Sequence, residues 1–338
     1  MKNMLVWCLL ALIPSVVFGQ VRPDFFPEDV EPATLAVGCL CKPGVMNQSR
    51  GRGLELSFLY MFDSPLNAEG DTVLTSPVSE LSLQNFTFKL RLPVVNKPGF
   101  KALFGVVYRP EHYDFSVIGA EYAPIFRHMN GRNLNSSGIE TILTKSWSER
   151  FYTSSRLRVL YNGDYSGLIK AKSRYAIYSA SLLLGFKKKP TREWGVGLTF
   201  NRSFRSTIAL PFFLYNQTFD EHWGVEMLLP TLMNLRYNLS EKTVLFLGAR
   251  YNSRSYALSV PATGGTYNLN HSEIRLTASV EHRIQNWVWL ELDAGTQKHF
   301  STDFEARGEG IESFRVEPGM SPYFKIGLFI SPPDSYIK

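Results

Sequence analysis

The chain has 338 residues, of which 44% are hydrophobic, 14% aromatic and 20% charged, enough for one large β-domain or two smaller ones and too polar for a bundle of membrane helices. Its formal net charge is +6, yet no Lys/Arg run is longer than Lys187-Lys188-Lys189. That pattern argues against nucleic acid and fits contact with anionic lipid.

The first 19 residues read as a cleaved signal peptide. Lys2 supplies the positive end, Met4 to Phe18 an apolar stretch broken by Pro14, and Gln20 the start of the mature chain. Cys8 lies too early in that stretch to be a lipid-attachment site. Residues 20–50 are expected to form a periplasmic N-terminal arm. Its Cys39 and Cys41 make a C-x-C pair with no nearby histidine or second cysteine pair, so they are not read as a metal site.

From residue 51 to 332 the chain alternates apolar and polar residues, the period of a strand with one face in each environment. Leu54, Leu56, Phe58, Tyr60 and Phe62 share a face, as do Phe86, Phe88, Leu90 and Leu92, and Phe324, Ile326, Leu328 and Ile330. Strands are expected over 53–62, 81–92, 100–109, 138–147, 152–162, 174–187, 192–203, 223–237, 243–254, 272–283, 287–298 and 321–331. A short tail, 333–338, follows. Pro230 interrupts the eighth, where a bulge is expected. Short connections such as 148–150, 188–191 and 284–286 alternate with long ones near 63–80, 110–137, 163–173, 204–222, 255–271 and 299–320. Outer-membrane barrels pair short periplasmic turns with long external loops. Alternation by itself does not say which face points outward. The signal peptide, the loop asymmetry and the even strand number together select an all-β, antiparallel, up-and-down transmembrane barrel of about twelve strands with both termini in the periplasm.

An apolar outer face implies a charged lumen. The expected inward set is Glu55, Lys89, Arg91, Arg156, Arg158, Glu226, Arg236, Arg250, Arg275, Glu281, Glu291, Asp293 and Lys325, joined by Lys101, Glu140 and Glu193. Charges so enclosed must pair. Either they hold the barrel shut or they line a narrow path for a small solute. The segment from Pro110 to Gly138 carries Tyr113, Phe115, Tyr122, Ile125, Phe126 and Met129, and is expected to fold into the lumen as a plug or lid.

Catalytic patterns are weak. The six histidines are His112, His128, His222, His271, His282 and His299, and none falls in the spacing of a catalytic pair. Asp303 near His299, in what reads as a solvated loop, is the most plausible acid–base couple. With no H-E-x-x-H and no paired C-x-x-C, no metal and no cofactor is expected.

Three stretches carry a resemblance. They are Pro43-Gly44-Val45 with Ser49 to Leu56, Leu229-Pro230-Thr231 with Leu235 to Thr243, and Gly319 with Pro322 to Leu328. Together they resemble an uncharacterised family of outer-membrane β-barrel proteins of the Bacteroidota, a domain of unknown function. The resemblance implies the fold and the location and brings no site residues. Lys325, Gly327 and Ile330 also resemble the C-terminal insertion signal of such proteins, with Pro332 at its last position. The expected function is a non-enzymatic outer-membrane protein, either a narrow channel or a structural barrel with a charge-paired lumen. The alternatives are a lipid-modifying enzyme, or an adhesion or assembly platform using the long loops. Expected partners are outer-membrane lipid and lipopolysaccharide, the outer-membrane assembly machinery and a small solute.

Overall fold

The computed structural model describes residues 43–67, 80–97, 99–116, 123–130, 132–204, 207–261, 265–307 and 313–331. The expected signal peptide, Cys39 and Cys41, and the tail 333–338 lie outside these residues.

Alternating side chains on a strand present two chemically distinct faces, and closing the sheet leaves no unpaired edge. The strands are β1 (Leu54–Asn67), β2 (Glu80–Lys97), β3 (Phe100–Ser116), β4 (Asn133–Ser146), β5 (Phe151–Gly163), β6 (Ala176–Lys189), β7 (Arg192–Arg202) and β8 (Thr207–Thr218). They continue as β9 (Trp223–Leu229), β10 (Leu232–Ser240), β11 (Thr243–Val260), β12 (Gly265–Gln285), β13 (Val288–Arg307), β14 (Phe314–Pro318) and β15 (Met320–Ile330), with one helix, α1 (Ala123–Asn130), between β3 and β4. Each strand from β1 to β13 pairs antiparallel with the next, β14 and β15 both pair with β13 and with β1, and β15 closes the ring on β1 with Leu54 opposite Ile330 and Met61 opposite Tyr323. β14 and β15, separated only by Gly319, act as one stave, so the ring has fourteen.

That is two more than the sequence suggests, for two physical reasons. The stretch 223–237 is a hairpin rather than one bulged strand. It reverses at Pro230-Thr231, where the Thr231 N–H donates to Leu228 O at 2.8 Å, and β9 then pairs back along β10. The apolar phase changes at Pro230 because the chain turns round there. β8 lies inside the expected 204–222 loop. Its Phe212 and Leu214 are buried while its Phe213 is exposed, so both faces are apolar and no alternation shows. Pro211, which argues against a central strand, sits beyond the last β8–β9 pair at Phe213, so its missing N–H costs no ladder bond. The expected loops 255–271 and 299–320 are also largely strand, since β11, β12 and β13 extend into them.

The outer surface is a belt of exposed apolar side chains that includes Leu56, Phe58, Phe86, Leu198, Leu247, Leu276, Val280, Ile326 and Leu328. Their neighbours Glu55, Ser57, Thr87, Lys89, Thr199, Glu281 and Glu291 are buried inside. Water would not tolerate such a belt, whereas hydrocarbon does, provided every backbone group is paired within the ring. The turns at the mouth where β1 begins and β15 ends are tight. At 219–222, for instance, Asp220 accepts the His222 and Trp223 N–H groups at 2.8 and 2.7 Å, which holds its carboxyl below the usual carboxylate range.

One inner wall is apolar. Tyr152, Leu183, Phe212, Leu214 and Leu228 form a cluster across β5 to β9. Two glycines make room for its rings: a Cβ on Gly185 would lie 2.0 Å from the Tyr152 ring, and one on Gly197 would lie 2.1 Å from the Phe212 ring.

The lipid-facing assignment predicts that Leu247→Arg lowers stability by about 2–4 kcal/mol, while Leu247→Phe is neutral. Reversible urea unfolding from lipid vesicles measures both. Equal stability of wild type and Leu247→Arg would show that this face does not meet hydrocarbon.

Candidate functional site

The lumen is the site, and it is sealed at both ends by different chemistry. At the terminal mouth the chain itself is the seal. Residues 43–53 thread into the barrel before β1 begins. Gly44, with φ of +99°, donates its N–H to both carboxylate oxygens of Glu193, at 3.0 and 2.9 Å. Glu193 also receives the Tyr152 hydroxyl at 2.5 Å and Asn216 Nδ2 at 2.9 Å. Met46 N–H donates to Pro190 O, and Ser49 holds Glu226 through its N–H at 2.9 Å and its hydroxyl at 2.6 Å. Arg52 reaches furthest in. Its Nη2 donates to Glu281 Oε1 at 2.6 Å and Glu291 Oε1 at 2.8 Å, its Nη1 to Glu291 Oε2 at 2.8 Å, and its guanidinium lies 4.4 Å over the Phe329 ring.

The strands supply the remaining pairs. Lys325 Nζ donates to Glu291 Oε2 at 2.7 Å and lies 3.3 Å from Asp293 Oδ2. Lys89 is 3.6 Å from Glu55, and Arg236 donates to Glu226 at 2.7 Å. Glu140 is clamped between Arg91 Nε at 2.7 Å and Arg156 Nε at 2.9 Å. Between these groups lies a cavity of about 150 Å³, lined by Arg52, Glu55, Lys89, Arg250, Arg275, Glu281, Glu291, Asp293 and Lys325 among others. Low-dielectric enclosure strengthens each pair and penalises any charge left alone.

The distal end is closed by an apolar core. α1 buries Ile125, Phe126 and Met129 among Leu59, Met61, Phe115, Tyr256, Leu258, Leu269 and Phe304. Phe126 lies 4.8 Å from Phe115 and 5.9 Å from Phe304 between ring centroids. Asn130 fixes the helix by exchanging both amide bonds with the Phe115 backbone, at 2.9 and 2.8 Å. Of the segment expected as a plug, α1 alone lies inside as one, with Ile125, Phe126 and Met129; Tyr113 and Phe115 belong to the wall strand β3, and Tyr122 lies outside the described residues. The barrel wall also draws in here, because the β9–β10 hairpin ends low and β11 crosses to β5. Ala257 pairs parallel with Gly163, and the Ser259 N–H donates to Asp164 Oδ2 at 2.7 Å. Gly163 is required at the crossing, since a Cβ there would lie 2.4 Å from the Tyr175 ring.

Of the thirteen lumen residues expected from sequence, Glu55, Lys89, Arg91, Arg156, Glu226, Arg236, Glu281, Glu291 and Asp293 are buried in this interior. Lys325 and Arg275 line the cavity, the latter paired with Glu273. Arg158 is half-buried on β5, and Arg250 lines the cavity as an exposed side chain. The structure does not bring His299 and Asp303 together as an acid–base couple. β13 continues through both, His299 is buried, and Asp303 accepts Arg315 Nε at 2.5 Å. Sequence reasoning missed Arg52, which precedes the first strand. It also missed Glu111, which lies in a stretch read as a loop, and Arg254 and Glu273, which lie at the distal ends of the expected strands 243–254 and 272–283. Continuing the alternation past Arg250 to Asn252 and Arg254 would have found one of them.

A family model described as Domain of unknown function (DUF6268) matches residues 131–331, from before β4 to the end of β15. The chain belongs to that family. The matched DUF6268 segment leaves out the arm, β1 to β3 and α1, and so leaves out the terminal seal and half of the distal one. No curated protein matches. Among solved structures the chain is similar to the NanC porin, at 7% identity and a TM-score of 0.35 over 82% of this chain and 99% of that one. It is similar to a deltaS2 mutant of the TodX monoaromatic hydrocarbon channel, at 7% identity and a TM-score of 0.36 over 85% and 91%. TodX is from Pseudomonas putida. The beta domain of the Bordetella autotransporter BrkA matches at 12% identity and a TM-score of 0.30 over 83% and 99%.

Removing Arg52 leaves Glu281 and Glu291 facing each other. Arg52→Ala is expected to destabilise the barrel by about 3–5 kcal/mol, and Arg52→Lys by less. Urea titration of vesicle-inserted protein, following tryptophan fluorescence, measures the difference.

Proposed function

We propose that this DUF6268 chain is a non-enzymatic outer-membrane barrel that rests closed, a structural barrel with a charge-paired lumen rather than an open channel. The observation that carries this reading is the double seal. Arg52 ties the N-terminal arm to Glu281 and Glu291 at one mouth, and α1 fills the other with apolar side chains. A solute crossing the lumen would have to displace both, and the two seals respond to different solvents. In this reading both termini lie in the periplasm, and lipid and lipopolysaccharide surround the apolar belt. The assembly machinery inserts the barrel through its closing strand, β15. The six histidines fit no shared catalytic role. His271 and His299 are buried in the lumen wall, and His128 Nε2 lies 2.9 Å from Asp164 Oδ2. His222 and His282 sit at the terminal turns, bonded to Asn238 O and Thr243 Oγ1.

Planar-bilayer recording tests the proposal. Wild-type protein is expected to show no steady conductance. Deleting residues 43–52 is expected to leave it silent, because the α1 core still blocks the path. Only the same deletion combined with Phe126→Ser and Met129→Ser is expected to conduct. Steady unit conductance from the wild type would sink the closed-barrel reading and restore the channel.

A further inference from the structure

Above the roof of the lumen cavity, the adjacent strands β12 and β13, with β1 one stave further round past β15, bring two imidazoles, a carboxylate and a thioether round one point. His271 and Glu273 lie two residues apart on β12 and share its inner face, and His299 is the cross-strand partner of Glu273 on β13. A register shift beside this pair makes Phe300 the extra residue, which points outward and leaves His299 inside. The ligating atoms of His271, Glu273 and His299 all lie within 4.8 Å of one another, and all three residues are buried. Met61 of β1 brings its Sδ to 3.3 Å from His299 Nε2.

Hydrogen bonding leaves this cluster frustrated. Arg275 Nε donates to Gln297 Oε1 at 2.7 Å, which turns the Gln297 amide so that its NH₂ lies 2.6 Å from both Glu273 Oε2 and His299 Nε2. That NH₂ needs a lone pair on Nε2, whereas the Met61 thioether needs an N–H there. One tautomer serves only one of them. With the lone pair on Nε2 the proton sits on Nδ1, which is buried and has no hydrogen-bond partner among the described residues. A buried donor without an acceptor is costly. A cation between the four side chains takes lone pairs from both Nε2 and Sδ and so ends the competition at Nε2; the Nδ1 proton stays where it was, and the Gln297 NH₂ keeps Glu273 Oε2 as its acceptor.

We propose that His271, His299, Glu273 and Met61 bind one Cu(I) ion that enters from the lumen cavity. A tetrahedral ion with metal–nitrogen and metal–sulfur distances of about 2.0 and 2.3 Å sets its nitrogen and sulfur ligands roughly 3.5 Å apart. The His299–Met61 separation of 3.3 Å is close to that, and Glu273 Oε2 lies 3.0 and 4.0 Å from the two imidazole nitrogens. Thioether and imidazole together favour Cu(I) over hard cations. Arg275 beside Glu273 and Arg254 beside Glu111 make a single positive charge easier to admit than a double one. No proton leaves on binding. His271 moves its proton from Nε2 to Nδ1, where Thr302 Oγ1 at 3.3 Å accepts it. Asn252 and Arg275, which hold Glu273, both line the cavity and mark the way in.

The test uses the full chain with Cys8, Cys39 and Cys41 replaced by serine in every arm, so that thiolates do not compete. Cu(I) is supplied with ascorbate and bicinchoninate, whose colour reports the ion left behind. One Cu(I) per chain is expected to leave the chelator, with affinity falling at least tenfold in His299→Gln and in Met61→Leu. X-ray absorption of the loaded chain is expected to show one sulfur scatterer that Met61→Leu removes. Copper left with the chelator, equal binding by a His271→Ala/His299→Ala double variant, or a spectrum of nitrogen and oxygen alone overturns the site. Heat-shifted mobility on SDS gels verifies that each variant is closed, and the spectrum of the parent chain decides even where a variant fails to fold.

Discussion

Everything in this molecule depends on the pairing of charge inside a ring that has no edge. Where fourteen staves close, the backbone is paired and apolar side chains turn outward, so the alternate residues have nowhere to go but inward. Seven carboxylates and nine cations among the expected inward set cannot all be hydrated beside a lumen cavity of about 150 Å³. They pair instead, across neighbouring staves as in Glu140 with Arg91 and Arg156, and across the barrel through the arm. Arg52 is decisive because Glu281 and Glu291 are direct cross-strand partners on β12 and β13, a like-charge juxtaposition that the strands by themselves leave unresolved. A guanidinium contributed by a segment outside the sheet converts that repulsion into attachment.

The lumen is polar over one length and apolar over another, and the short hairpin explains the change. β9 and β10 reverse at Pro230, while β8 and β11 run on. Above that level the ring cannot close through β10, so β11 turns across to β5 and the wall narrows to β1–β5, β11–β13 and β14. A narrower ring brings opposite inner faces within side-chain reach, and there Tyr113, Tyr256, Leu258, Leu269 and Phe304 meet α1 as a packed core. In the wider part facing walls are too far apart to touch. Pairs along the strands and the inserted arm fill that space instead.

What the sequence revealed follows the same division. Staves with one face in lipid and one in a polar lumen alternate cleanly, and β1, β2, β6, β7, β12 and β15 are readable from that period alone. The signal fails wherever the inner face is apolar too. β8 vanished into a loop because Phe212 and Leu214 pack inward while Phe213 faces out, and the distal ends of β11 to β13 vanished because both their faces are covered. The lumen charges were legible as a class, since alternation assigns a face. Their partners were not, because a partner such as Arg52 comes from a segment with no period. Only register shows that His299 stands opposite Glu273, although folding β12 and β13 about the turn at Asn286 would have placed them together.

The two seals differ in what could release them. The distal core is held by apolar packing, which weakens only when α1 leaves as a unit, since Ile125, Phe126 and Met129 are buried together. The terminal seal is held by discrete polar contacts at Glu193, Glu226, Glu281 and Glu291, each with a defined donor in residues 44–52. Such contacts can be exchanged one at a time, because every acceptor the arm vacates could be met by water entering the mouth. The arm is therefore the part of the barrel most readily reorganised. It lies outside the DUF6268 segment at 131–331, yet four of its acceptors, Glu193, Glu226, Glu281 and Glu291, lie within it. A segment outside the family's matched region thus completes a charge network whose other half that region provides.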